Sequence, residues 1–434
     1  MQVIDSGFAA SLARVLPGWL RRQTWLSRSA ATLLGVEVLD TETIVRDPAI
    51  GWVDVRAMFG GGVAERYGLL VAVRAGVPSD MDPDAGIGVV EGVGRALVGF
   101  EAMAWRAGAL SAVRALMPHV VDTAVAPGAL TVLPWGGISP TVLIDVRWEI
   151  KAHRQVSDLP NPDVELPAAM ARAEVGRVAP IAEQVTRNGQ VALALRSSLR
   201  IRQDGLDLVA ASLRQLFEAR VPPRLARNDV ADEMEQIGRG VAEMHVALAT
   251  TFESEPADGG AWAELLLAPL HRLGSGRIRF DRLEGVLQRL QGAEDLGRSI
   301  RTHGNLHLGN VAQTMQGWIP HNFEGDGRPY SELRQNVSPL RDLGRLVVSL
   351  GRAARTMTEH YLEDDFERDR ELDVLADSWE ERVVSHLVGG YTSVDEVHRL
   401  LPAGREARDA LLRVFELEHQ LTNVMPETHE SPWG

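Results

Sequence analysis

The sequence predicts an α+β protein in which a sheet-rich N-terminal part is followed by a mainly helical C-terminal part. Three observations predict it. Short runs of alternating apolar and polar residues recur up to about residue 205, and amphipathic periodicity of helical type takes over beyond it. One polar stretch rich in Gly, Asn and His, residues 302–327, interrupts those helices. The 434 residues suffice for two or three domains with a sizeable core.

Residues 8–20 carry apolar positions at helical spacing, and the runs at 51–56 and 67–73 alternate as half-buried strands do. The turn-rich Asp80-Met-Asp-Pro-Asp-Ala-Gly86 marks a boundary or a flap. Residues 131–134, a Gly136-Gly137 turn, 141–145 and 148–151 follow as strand, turn, strand and strand. Asn161-Pro-Asp-Val-Glu165 opens a helix with Asn and Pro as start signals. Residues 206–219, 230–249 and 391–420 read as amphipathic helices with acid–base pairs at helical spacing. The expected organisation is a cap subdomain over 1–90, a sheet-containing lobe over 91–205 and a helical lobe over 206–434.

Composition narrows the function. The net charge of −14 argues against a nucleic-acid partner or an anionic membrane surface, because both select basic patches. The absence of cysteine excludes disulfides and thiolate metal sites. Residues 1–20 show no basic segment ahead of an apolar run, and no apolar stretch reaches the ~18 residues of a membrane span, so a cytoplasmic protein is expected. Of the 45 basic residues only Lys151 is lysine. A lysine that survives among arginines marks a place where a compact ammonium is wanted, such as a phosphate contact.

The polar stretch carries the chemistry. Arg301-Thr-His-Gly-Asn-Leu-His-Leu-Gly-Asn310 is followed twelve residues later by Asn322-Phe-Glu-Gly325, and then by Ser338-Pro-Leu-Arg-Asp-Leu-Gly344. Together they resemble the catalytic loop (His-Gly-Asp-Leu-His), the metal-binding Asp-Phe-Glu-Gly and the Ser-Pro-Leu-Arg-Asp segment of the maltokinase and glucosamine kinase-like members of the aminoglycoside phosphotransferase superfamily. Ile237-Gly-Arg-Gly-Val-Ala-Glu-Met-His245 resembles that family's helix upstream of the loop. Gln23-Thr-Trp-Leu26 and Glu416-Leu-Glu-His-Gln-Leu421 echo its first and last motifs. The matches run in order over essentially the whole chain. The resemblance implies a bilobal protein-kinase-like fold with an N-terminal cap subdomain, a sheet-containing N-lobe and a mainly helical C-lobe.

It also implies site residues. Lys151 resembles the strand lysine that contacts nucleotide phosphates, and Glu165 the helix glutamate that pairs with it. Gly136-Gly-Ile-Ser-Pro140 lies where the family has a phosphate-covering loop, with Pro140 in place of its asparagine. Asn305, beside His303, occupies the catalytic position, and His303 is expected to fix the loop through backbone hydrogen bonds. Asn310, Asn322 and Glu324 occupy or flank the metal positions, with Asp326 close by; His245 reads as a core or interface histidine and Asp342 as a support of the loop. Both working aspartates of the family are asparagine here. An amide keeps the shape of a carboxylate but is neither a base nor an anionic ligand for magnesium. His321 adds a further departure where an aliphatic residue is usual, and the spacing of His303, His307, His321 and Glu324 matches no transition-metal motif.

The resemblance therefore implies ATP and, with weakened binding, Mg²⁺ as cofactors, and a sugar or aminated sugar as small-molecule partner. It leaves an active ATP-dependent kinase acting on maltose, glucosamine or a related sugar as the alternative. The reading favoured by Asn305 and Asn322 is a degenerate, pseudokinase-type relative that binds nucleotide, with phosphoryl transfer lost or altered, acting through a protein partner or in a changed reaction.

Overall fold

The computed structural model describes residues 6–26, 32–92, 95–119, 129–134, 137–173, 175, 178, 181–264, 295–325, 328–362 and 370–422. Helix α1 (Ser6–Leu20) leads into β1 (Leu33–Arg46), β2 (Ala49–Phe59), β3 (Val63–Arg74), β4 (Gly86–Gly92) and β5 (Arg95–Glu101). These strands pair antiparallel in the order β1-β2-β3-β5-β4. The 80–86 turn, expected as a boundary or flap, lies inside this sheet and joins β3 to β4. There the Asp82 side chain accepts from Asp84 N at 2.9 Å and closes a single turn. Residue 90 falls within β4, and the cap's sheet runs on to Glu101.

The expectation of half-buried strands is corrected by packing on both faces. Odd-numbered Val53, Val55, Leu69 and Val71 meet Phe8, Leu12, Leu16 and Trp19 of α1. Even-numbered Ile50, Trp52, Leu70 and Ala72 face a second core. The polar residue that suggested a wet face, Asp54, is itself buried. It accepts from Trp52 Nε1 at 3.1 Å and from the Asn188 amide.

The second core joins the cap to the next lobe. Helix α2 (Arg106–Leu116) is followed by β6 (Leu130–Val132), β7 (Thr141–Ile144), β8 (Trp148–Ala152), β9 (Gln155–Val156), α3 (Pro162–Arg172), β10 (Ile181–Arg187) and β11 (Gln190–Ser197). The new sheet has the order β10-β11-β8-β7-β6, while β9 crosses back to pair with β3 in the cap. Val142, Ile150 and Leu193 of this sheet pack with Ala109 and Val113 of α2 and with the cap's even face. Shared core and shared strand make cap and lobe one hydrophobic unit.

The C-lobe starts with β12 (Gln203–Asp204), α4 (Gly205–Ala219) and α5 (Ala231–Thr251), then β13 (Glu255–Pro256) and β14 (Arg298–Ser299). The polar stretch folds around a hairpin, β15 (Val311–Thr314) and β16 (Gly317–Pro320), that pairs with β12. Helices α6 (Leu340–Leu362), α7 (Arg370–Thr392) and α8 (Arg405–Thr422) complete it. Helices α5 and α7 cross backbone to backbone. A Cβ on Gly238 would lie 2.1 Å from Leu387 O, and one on Gly390 2.0 Å from Glu235 O, so neither position admits a side chain. The single helix expected over 391–420 is instead the end of α7, a 3₁₀ turn (Asp395–Arg399) and α8. Pro402, which has no N–H to donate, and Gly404 lie in the break. Among the described residues no helix is long and apolar enough to cross a membrane.

Candidate functional site

Strand β8 runs between β11 and β7, with Lys151 opposite Ala194 on one side and Thr141 on the other. This central register holds the lysine stem in a fixed direction, and its side chain is only 9% exposed. The ammonium lies 2.9 Å from Asn322 Oδ1, 3.2 Å from Asp163 Oδ2 and 3.6 Å from Glu324 Oε2.

The acid that α3 presents to the lysine is thus Asp163, which corrects the expected pairing with Glu165. Asn161 caps the helix by accepting from Asp163 N at 2.9 Å, and Pro162 occupies the first turn. Two residues advance an α-helix by about 200°, so Glu165 leaves on the opposite side from Asp163. There its Oε2 binds Arg301 at 3.2 Å and also Arg334, tying α3 to the C-lobe. Asp163 is fully buried and also accepts from Phe323 N at 2.9 Å and pairs with Arg196 at 3.3 Å. Burial alone would raise its pKa, but the Arg196 and Lys151 cations outweigh it and hold the carboxyl well below the usual range.

Glu324 faces the same lysine and places Oε1 3.0 Å from His153 Nδ1. Burial works to raise its pKa, and Lys151 followed by His153 brings it below the usual carboxylate value. His153, Asp163 and Glu324 bring ligand atoms within 4.8 Å of one another. The Lys151 ammonium is already the cation that Asp163 and Glu324 surround. His303, His307, His321 and Glu324 do not form such a group among the described residues.

The loop that carries Asn305 is hung from α6. Asp342 accepts from His303 N at 2.7 Å, from Gly304 N at 3.0 Å and from His245 Nε2 at 3.1 Å, while His245 Nδ1 lies 2.9 Å from Tyr391 Oη. A carboxylate only accepts, so His245 donates from Nε2 to Asp342. Burial tends to raise the Asp342 pKa, and the hydrogen bond and charge of His245 bring it down to about 2. His303 donates from Nε2 to His321 O at 2.9 Å and accepts from Asn305 N at 3.3 Å. Both ring nitrogens are therefore used by the backbone, and burial lowers its pKa. Burial also keeps His321 neutral, with its pKa at about 3, helped by the Lys151 and Arg196 charges.

Asn305 donates from Nδ2 to Gly325 O and leaves Oδ1 buried without a hydrogen-bond partner. Asn310 donates to Asn305 O at 2.8 Å, and Asn322 donates to Asn310 Oδ1 at 3.0 Å. Asn322 sits at φ +63°, a left-handed conformation that asparagine tolerates better than most residues. The expected metal residues Asn310, Asn322 and Glu324 are thus brought together around Lys151, with their oxygens already facing donors. Asp326 and Gly136 lie outside the described residues.

Sequence reasoning missed Arg154, Arg196 and His153. Arg154 is buried, donates to both Glu101 oxygens and to Gly137 O (2.9 Å) and Ile138 O (2.6 Å), and stacks 4.3 Å above the Trp25 ring. It ties the expected phosphate loop to the cap and gives the Gln23–Trp25 motif a structural role. The signal available was position: the run 151–154 carries three basic-type side chains at the end of one strand.

A sheet lobe and a helical lobe meeting at a strand lysine and a polar loop make a bilobal, protein-kinase-like fold. No protein-family model matches the sequence. Among solved structures, the chain is similar to glucosamine kinase in complex with glucosamine, ADP and inorganic phosphate, with a TM-score of 0.55 at 16% identity over 82% of this chain and 86% of that one. A second crystal form of glucosamine kinase matches with a TM-score of 0.50 at 14% identity over 98% of this chain and 100% of the other. The cap is therefore part of the shared architecture.

Proposed function

We propose that this chain is a sugar-kinase-like protein that binds an adenine nucleotide at Lys151 and has lost or altered phosphoryl transfer. One observation carries the reading: both positions where such chemistry needs a carboxylate hold amides built into the hydrogen-bond network, Asn305 on Gly325 O and Asn322 between Lys151 and Asn310. Asn305 Oδ1 can accept a hydrogen bond from a substrate hydroxyl and orient it. It cannot take the proton, and losing a general base costs about two to four orders of magnitude in rate. Lys151 and its Asp163 partner support nucleotide binding, since the ammonium is held in place by a buried acid that Arg196 keeps ionised. Glu324, at 3.6 Å the more distant of its carboxylate neighbours, is the one a phosphate would displace. The small-molecule partner of this reading is a sugar or aminated sugar, by analogy with the fold's glucosamine kinases.

Calorimetry with ATP tests the binding half. Wild type should bind in the micromolar to millimolar range and Lys151→Ala should not; no binding by wild type up to millimolar nucleotide sinks the reading. Transfer of labelled phosphate from ATP to maltose, glucosamine and glucose tests the other half. Turnover by wild type at ordinary kinase rates would establish the alternative, an active sugar kinase in which Glu324 compensates for the lost aspartates.

A further inference from the structure

The three asparagines of the site form one directed chain. Lys151 Nζ donates to Asn322 Oδ1 at 2.9 Å, Asn322 Nδ2 to Asn310 Oδ1 at 3.0 Å, and Asn310 Nδ2 to Asn305 O at 2.8 Å. An amide alone can be turned either way, but this chain has fixed ends. An ammonium has only protons to offer, so the Asn322 oxygen must face Lys151 and its nitrogen must face Asn310. A backbone carbonyl only accepts, so the Asn310 nitrogen must face Asn305 O and its oxygen must face Asn322.

The consequence concerns the divalent cation that this fold implies. A hard cation bridging positions 310 and 322 needs an oxygen from each. Here the facing atoms are an oxygen and an N–H, and the N–H is bonded to that oxygen. The carboxylates near enough to draw a dication, Asp163 and Glu324, already surround the Lys151 ammonium. The donor set does not fit magnesium.

We propose that the Asn322 side-chain amide takes the place of the cation, bridging Lys151 to Asn310, so that the site excludes divalent metal and takes its phosphate ligand metal-free. Aspartate at 322 would present two acceptors to each other across 3.0 Å, an arrangement that calls for a cation between them. The metal exclusion stands on side-chain geometry alone; only the identity of the phosphate ligand rests on the nucleotide-binding reading.

Manganese, which stands in for magnesium and is visible by electron paramagnetic resonance, gives the test on the full-length chain. Wild type without nucleotide should leave the free Mn²⁺ signal at its buffer level up to millimolar metal. Asn322→Asp should bind Mn²⁺ at least roughly tenfold more tightly than wild type. ATP affinity measured by calorimetry should agree within about twofold between EDTA and excess Mg²⁺, because no protein–metal contact is gained. Sequestration of Mn²⁺ by wild type, or a loss of ATP affinity beyond about tenfold in EDTA, overturns the proposal, as does a folded Asn322→Asp that binds no more metal than wild type. The wild-type measurements decide the matter even where the variant does not fold. ATP binding in neither buffer would refute the nucleotide reading while the Mn²⁺ result still judges the metal exclusion.

Discussion

Behind and in front of the 302–310 loop, the molecule treats buried carboxylates in opposite ways. Behind it, Asp342 keeps its charge among three donors: two backbone N–H groups and His245. In front, positions 305 and 322 carry amides, and each amide nitrogen donates to an oxygen. The difference separates two roles usually discussed together. A carboxylate that holds the loop has only donors around it, and a neutral replacement would leave one of them pointing at an N–H. At 322 the neighbours are a donor on one side and an acceptor on the other, which suits an amide better than an acid. The hydrogen bonds that hold the loop are therefore separate from those made at positions 305 and 322.

Replacing Asp342 breaks the comparison most directly. Asp342→Ala strands buried donors and should cost about 3–5 kcal/mol in chemical denaturation; a loss below about 1 kcal/mol would show that the loop is held by other means. The same residue sets a pH dependence. Its folded pKa of about 2 lies below the ordinary value of 3.8, so its stabilisation is complete above roughly pH 4 and is lost as pH falls toward 2. Between those values wild type should lose stability more steeply than Asp342→Asn.

The two acids of α3 sharpen the contrast between site and scaffold. Asp163→Asn removes the charge that both Lys151 and Arg196 face, and should cost about 3 kcal/mol and weaken nucleotide binding. Glu165→Gln removes the charge from a largely buried link to Arg301 and Arg334 but keeps an acceptor for them, and should cost about 1–2 kcal/mol with nucleotide affinity unchanged. Equal effects of the two variants on nucleotide affinity would mean that α3, and not the lysine's own partner, governs the site.

The last test of the comparison is Asn305→Asp combined with Asn322→Asp. Both exchanges are isosteric, but the new carboxylates face Asn310 Oδ1 and Gly325 O as well as Lys151, so the double variant should lose about 1–3 kcal/mol without divalent metal and regain part of it when metal is added. If only the carboxylates separate this site from a working one, the double variant should transfer labelled phosphate from ATP to a sugar, and each single variant should do far less, because base and metal act as a unit. Absence of transfer by a folded, ATP-binding double variant would locate further divergence in the sugar pocket or in the loop around Pro140.

Much of this was legible in the residues. Helical spacing of Phe8, Leu12 and Leu16, the alternation in β2 and β3, and the Asn161–Pro162 start of α3 are local signals that packing respected. The 391–420 helix was misread because amphipathic spacing continues in phase on both sides of Pro402, and only the chain's turn separates them. The cap's strands looked half-exposed because Asp54 and Arg56 alternate with valines; that Asp54 is buried follows from Trp52 and Asn188, the latter 134 residues away.

By itself the sequence determined the order of lobes, the strand that carries the lone lysine, and the presence of amides at 305 and 322, because these depend on residue identity and on spacing within one element. Only the tertiary structure decided which acid meets the lysine and which atom of Asn322 faces Asn310. The first depends on the rotation of α3 about its axis, which helical periodicity leaves open until the helix packs against the C-lobe. The second depends on an ammonium brought from 171 residues away, whose protons leave an amide one way to turn.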